Sequence, residues 1–195
     1  MNWKARLIRR IRRRRYERKI AHVPQGDDVH PVLDIGCSRF PVPGADFAGD
    51  YLPCEADTPE MRERLAGRFV RCDVHHLPFC EHAFGFVHCS NVFEHLDDPA
   101  QAFAELKRVA RHGFIESPNA FRERVIVHPD NHSWIISWQD ETIHYVTPTQ
   151  VRIAGVQILP CPLSLVIKRR LPFVWKCFMY ALDQVLGIAY NTYRW

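Results

Sequence analysis

The chain has 195 residues, 47% of them hydrophobic and 12% aromatic, which is enough for one α/β domain with a real core and too few for two. Its 7 cysteines are odd in number and form no C-x-x-C pair, and its basic first twenty residues contain no uninterrupted apolar run; this argues against a secreted, disulfide-framed protein and for a reducing cytosolic setting. The net charge of +4 is uneven, since Met1 to Ile20 carries ten Lys or Arg against one Glu and leaves sixteen basic and twenty-one acidic residues beyond it.

Three segments follow: a basic amphipathic tail over 1–21, an α/β domain over 22–160 and an apolar amphipathic segment over 161–195. In the tail, Trp3, Leu7, Ile8 and Ile11 share one side at helical spacing with arginines around the rest. An anionic lipid surface suits that pattern best, because apolar anchors with a polybasic face are what interfacial binding needs. A solvated charged arm is the plain alternative, and nucleic acid is a weaker match because no aromatics interleave the basic residues. "HVPQGDDVHP" (His22 to Pro31) reads as a linker.

The domain opens with the strand "PVLDI", and the prolines at 41 and 43 bar a helix of useful length from the stretch that follows. "GDYLP" predicts a second strand ending near Asp50, and "DTPEMRERLAG" a helix started by Pro59 and stopped by Gly67. A third strand, "RFVRCDV", ends at Asp73, and a fourth is "AFGFVHCSNVF". "DDPAQAFAELKRVARHG" predicts a helix capped by Asp98 and ended by Gly113, and "GFIESP" predicts a fifth strand. Strands alternating with helices imply a doubly wound, mostly parallel sheet, whose ligands lie at the carboxyl ends of the strands. Asp34 and Gly36, Asp50, Asp73 and the Cys89-Ser90-Asn91 run would then converge on one edge. A glycine allows close backbone approach, one carboxylate can accept ribose hydroxyls and another an amino group, so the set fits an adenosine-like ligand.

From Val32 to about Asn119, the pieces "VLDIGC", "CDVHHLPF", "AFGFVHCSNVFEHLDDP", "AFAELKRVAR" and "GFIESPN" resemble, in order, a class I S-adenosylmethionine-dependent methyltransferase of the methyltransferase type 11 family. The resemblance implies a Rossmann-like fold, shortened here and flanked by terminal helices, with S-adenosylmethionine as cofactor. It further implies that Gly36 and Ser38 line the methionine and ribose end, that Asp50 takes the ribose hydroxyls, that Asp73 and the Val74 amide hold the adenine and that Ser90 lies below the cofactor. Asp34 would orient the loop or a water at the methionine ammonium. Ser38 and Phe40 stand where the family usually has the later glycines of its loop. With 16 positions from Asp34 to Asp50, there is no room for the family's first helix. Gly85 takes the place of a common Asp.

His95 can serve as a general base on a substrate hydroxyl, or as a packing histidine under the cofactor. H-E-x-x-H is absent and the histidines and cysteines from Cys72 to His95 lack ligand-pair spacing, so no metal is assigned. "SWIISW" and "TIHYV" predict a hairpin around Gln139 to Glu141. Near it, His128, Asp130, Asn131, His132, Trp134 and Trp138 are candidates for acceptor contacts, the tryptophans being equally suited to a core. In the C-terminal segment, Lys176, Tyr180, Asp183, Gln184 and Gly187 share a helical stripe, which fits a monotopic helix better than a spanning one and leaves packing on the domain or a second subunit open.

The expected function is a cytoplasmic methyltransferase, peripheral to the inner face of a membrane through 1–20 and 171–190. Its acceptor would be an unidentified hydroxyl or carboxylate of a lipid-linked or saccharide-type molecule. A catalytically silent, membrane-attached binding or scaffold module on the same fold is the alternative, favoured by the lost glycines. Methyl transfer from a sulfonium asks mainly for alignment and exclusion of water, so the absence of a nucleophile triad does not separate the two.

Overall fold

The computed structural model describes residues 21–24, 26, 29–37, 41–51, 67–125, 132–147, 152–153, 156–157 and 190–195. The basic tail, the helix predicted after Asp57 and the apolar segment up to Ala189 lie outside these. Two units of the chain are compact by themselves, one formed by 1–90, 101–115 and 194–195, the other by 91–100 and 116–193.

The first unit is organised by parallel strands. β1 (Val32–Ile35) pairs with β2 (Phe47–Asp50), setting Leu33 against Phe47, and with β4 (Phe84–Ser90), setting Leu33 against Val87. β2 in turn pairs with β3 (Phe69–Arg71), Gly49 standing opposite Val70. Every residue of β1 and β4 is buried, as expected of parallel strands covered on both faces, and this is why they read as apolar runs. With β5 (Ala110–Pro118) and β10 (Tyr190–Arg194) the sheet order is β10-β5-β4-β1-β2-β3. The chain steps outward from β1 to β3 and resumes on the other side at β4, so the topological switch point lies between β1 and β4. This is the doubly wound, Rossmann-like fold class expected.

Local outcomes differ from the expectations in two places, each for a packing reason. β2 comes earlier than "GDYLP", at Phe47–Asp50, because Gly49 lies where a Cβ would meet Cys72 Sγ at 2.7 Å and Ile35 Cδ1 at 2.8 Å, a fit only a strand packed on its neighbours makes. Helix α1 (Pro99–Val109) stops short of Gly113, which instead lies within β5. There a Cβ would meet the Trp195 ring at 2.1 Å, and the two residues exchange N–H···O bonds of 3.2 and 3.3 Å, so this glycine seats an aromatic ring and does not end a helix. Gly85 is explained the same way: a Cβ would lie 2.4 Å from the Val29 carbonyl carbon, which leaves no space for the aspartate common in the family.

α1 buries Ala102, Phe103, Leu106 and Val109 at helical spacing. From its flank, Arg108 donates to Glu105 through Nε and Nη2 (2.7 and 2.8 Å), to the Phe79 carbonyl (2.8 Å) and to the Leu77 carbonyl (3.0 Å), while Glu105 accepts the Leu77 amide (2.9 Å). The Leu-Pro-Phe segment is pinned to the helix by this fork.

The second unit contains a 3-10 turn at Phe93–His95, the short helix α2 (Ala120–Val125) and the predicted hairpin, β6 (Ile135–Gln139) and β7 (Thr142–Val146). Asp140 and Glu141 both have positive φ (48° and 60°), the two-residue turn whose twist matches a hairpin. β8 (Arg152–Ile153) and β9 (Val156–Gln157) form a small antiparallel pair. Among the described residues, no helix is long and apolar enough to cross a membrane.

Candidate functional site

Asp34 is 1% exposed, and a carboxylate so buried must be held by donors. Its Oδ2 accepts the Val42 amide (2.7 Å) and its Oδ1 faces His88 Nδ1 (2.8 Å) on β4. Both oxygens therefore work inside the protein: Asp34 fastens the proline-flanked part of the loop to β1 and ties β1 to β4. Gly36 leaves β1 with φ of 71°, a left-handed conformation that costs a glycine little, and donates to the Gly49 carbonyl at 2.9 Å. Residues 36–37 and 41–46 form turn and coil, with no helix among the described residues between β1 and β2. Ser38 lies outside the described residues.

Asp50 closes β2, and its carbonyl accepts the Cys72 amide (3.1 Å). Asp73 follows β3 and builds its own turn: Oδ1 accepts the His75 amide (2.9 Å) and contacts His75 Nδ1 (2.6 Å), while Oδ2 has no hydrogen-bond partner among the described residues. The amide bond and the neighbouring imidazole hold the Asp73 carboxyl below the usual carboxylate range even though partial burial opposes them. Cys72, between the two carboxylates, has its thiol pushed up to about 11 by burial and by the charges of Asp50 and Asp73, which keeps it protonated and unreactive. Val74 and Ser90 are buried, Ser90 as the last residue of β4. Gly36, Asp50, Asp73 with Val74, and Ser90 thus stand at the carboxyl ends of the adjacent parallel strands β1, β2, β3 and β4. This edge is where a doubly wound sheet binds its ligand.

The second unit brings together residues far apart in sequence. Glu94 is 1% exposed, and among the described residues neither carboxylate oxygen has a partner at ordinary hydrogen-bond geometry, although its own amide and the Ser117 hydroxyl lie close enough to act on its charge. Burial, reinforced by the Glu123 charge, pushes the Glu94 carboxyl up to about 7, against the pull of its own backbone amide, then of His132 and Ser117. The Glu94 carbonyl accepts the amides of Ser133 (2.8 Å) and Trp134 (3.3 Å), which sets His132 beside the turn. His132 Nδ1 contacts Glu123 Oε1 at 2.7 Å, and its ring meets that of His95 edge to face at 4.6 Å. Glu94, His95 and His132 each present a ligand-type atom, all within 4.8 Å of one another.

Two of the expected substrate residues have packing roles here. Trp134 donates to the Leu96 carbonyl (2.7 Å) and packs edge-on to Tyr145, whereas Trp138 lies against Phe93 and stacks on Tyr193 at 4.8 Å. His128, Asp130 and Asn131 lie outside the described residues. Glu123 and the grouping of His132 with Glu94 escaped sequence reasoning, which looked for ligand pairs at short spacing; the remaining signal, a buried-type "SNVFEH" turn with an acid inside an apolar run, was present but did not name its partner.

The strand order and parallel pairing define a doubly wound α/β protein. Residues 33–115, somewhat under half the chain, match the family model described as a methyltransferase domain. The match is to this segment alone. Among solved structures, the chain is similar to an S-adenosylmethionine-dependent methyltransferase from Thermotoga maritima (20% identity, TM-score 0.41), covering 56% of this chain and 53% of that one. It is also similar to the geranyl diphosphate C-methyltransferase of Streptomyces coelicolor (17% identity, TM-score 0.47, 60% and 51% covered) and to a geranyl diphosphate methyltransferase bound to the cofactor (20%, 0.46, 60% and 55%). The chain spans about half the length of these proteins. No curated protein matches it.

Proposed function

We propose that the chain transfers the methyl group of S-adenosylmethionine to a hydroxyl or carboxylate of a lipid-linked or saccharide-type acceptor at a membrane surface. The observation that carries the cofactor half of this reading is the alignment of Gly36, Asp50, Asp73 and Ser90 on one edge of the parallel strands. Their chemistry fits the cofactor: a glycine in a left-handed turn keeps a side chain from between backbone and ligand, and Asp73 retains an oxygen for an amino group. Asp50 would accept from ribose hydroxyls. When bound, the sulfonium supplies an already activated methyl group, so these residues need only hold, orient and exclude water. The acceptor half is supported by sequence alone, through the ten basic residues of the tail and the apolar C-terminal stretch.

Calorimetry on the full chain with S-adenosylmethionine and S-adenosylhomocysteine tests the cofactor half. Binding of either is expected, and Asp50→Ala should weaken it by about 1–3 kcal/mol through loss of charge-assisted bonds. Failure of the folded protein to bind either ligand overturns the enzyme reading in favour of a silent scaffold. Sedimentation with anionic vesicles tests the surface half, and binding undiminished by deletion of residues 1–20 would remove the tail as an anchor.

A further inference from the structure

We propose that Glu94, His95 and His132 form a binding site for a divalent transition-metal ion, zinc being the best match, with Glu123 orienting His132. The three side chains offer one carboxylate and two imidazoles with ligand atoms within 4.8 Å of one another, two of the three residues lying in one 3-10 turn. Around zinc, with bonds of about 2.1 Å to nitrogen or oxygen, tetrahedral ligand atoms sit about 3.4 Å apart. Closing the set takes a small side-chain adjustment at His95, which is exposed and whose ring already meets that of His132 at 4.6 Å.

The second observation is independent of that grouping. Glu94 is almost wholly buried, yet among the described residues both its oxygens lack a hydrogen-bond partner at ordinary geometry. A buried carboxylate left in that state costs stability unless something neutralises it, and a cation between it and the two imidazoles does so. His132 is prepared for the role. Its Nδ1 is engaged by buried Glu123 at 2.7 Å, which leaves Nε2 for the ion, the carboxylate–histidine arrangement that fixes ring orientation and raises ligand basicity. Backbone bonds from Ser133 and Trp134 to the Glu94 carbonyl, and from the Trp134 indole to the Leu96 carbonyl, hold the two strands of the site together without using any of the proposed ligand atoms. One oxygen and two nitrogens with no thiolate suit zinc or its first-row neighbours better than magnesium or calcium. Three protein ligands leave a position open for water or another oxygen donor, such as a hydroxyl.

The site stands apart from the cofactor reading, and its test needs no methyl transfer. The full chain, purified without a histidine tag and stripped with chelator, is titrated with zinc chloride by calorimetry and with cobalt(II) by absorption spectroscopy. One ion per chain is expected, bound in the micromolar range or tighter, with visible cobalt bands and no thiolate charge-transfer absorption. His95→Ala, at an exposed position, should keep the fold and weaken zinc binding by at least about tenfold. Glu123→Gln should weaken it by about 10–100-fold as a positioning residue, and Glu94→Gln should abolish it. If Glu94→Gln does not fold, His95→Ala decides alone. Lack of zinc binding by folded wild-type protein, an affinity unchanged in His95→Ala, or thiolate charge-transfer bands from the chain's cysteines would each overturn the site.

Discussion

Asp34 offers the sharpest test of how the strand edge is built, because its two oxygens have separate tasks that separate substitutions can divide. Asp34→Ala removes the acceptor for the Val42 amide (2.7 Å) and the partner of His88 Nδ1 (2.8 Å), both at a fully buried position. Hydrogen bonds to a charged group contribute about 1.5–3 kcal/mol each, and the donors left behind stay buried without partners, so a loss of about 4 kcal/mol is expected. For a chain of this length that corresponds to a fall in Tm of roughly 8–16 °C. Asp34→Asn keeps an oxygen for Val42 and a group that can meet the His88 ring in its other tautomer, and should cost about 1 kcal/mol. Urea unfolding followed by circular dichroism measures both. Because both oxygens are engaged within the protein, Asp34→Asn should also change cofactor affinity by no more than about threefold. An Asp34→Ala protein within 1 kcal/mol of wild type, or two variants of equal stability, would refute the loop-fastening role.

Gly85→Ala should destabilise by about 1–3 kcal/mol, since its Cβ meets the Val29 backbone at 2.4–2.8 Å, and Gly85→Asp by more because it adds a buried, unpaired carboxylate; a thermal melt at or above wild type for Gly85→Ala would show that Val29 yields freely. Arg108→Ala should cost about 1–2 kcal/mol at pH 7 by releasing Glu105 and the Leu77 and Phe79 carbonyls. Arg108 and then the Leu77 amide hold the folded Glu105 carboxyl below its ordinary value of about 4.5, against weak burial, so the pair's contribution is complete at neutral pH and is lost as pH falls through the folded pKa. Unfolding curves of wild type and Arg108→Ala should therefore converge in acid without meeting, because the two carbonyl bonds do not titrate.

Much of the strand edge was legible because a parallel sheet translates burial into sequence. Strands covered on both faces read as apolar runs, and the residue that ends each run falls at a known edge, so the pattern alone puts Gly36, Asp50, Asp73 and Ser90 together. What each carboxylate does there was less legible. Asp34 is held by partners 8 and 54 positions away, and no local pattern distinguishes a carboxylate that faces a ligand from one that fastens a loop.

Glycines misled for a related reason. Gly113 carries the signal of a helix stop, a basic stretch followed by glycine, but the strand wins because the chain's last residue covers it: Trp195 needs the missing Cβ and exchanges two backbone bonds across it. The same logic bears on the histidine cluster. Metal motifs are recognisable when one helix or one knuckle supplies ligands at short spacing, whereas here a turn supplies Glu94 and His95 and the approach to β6 supplies His132. The link between them is two amide bonds to the Glu94 carbonyl, which any residues at 133 and 134 other than proline could donate. Such a juxtaposition leaves no composition to read. Its trace in the structure is instead the buried carboxylate whose oxygens find no bond among the described residues, the observation from which the cation site is proposed.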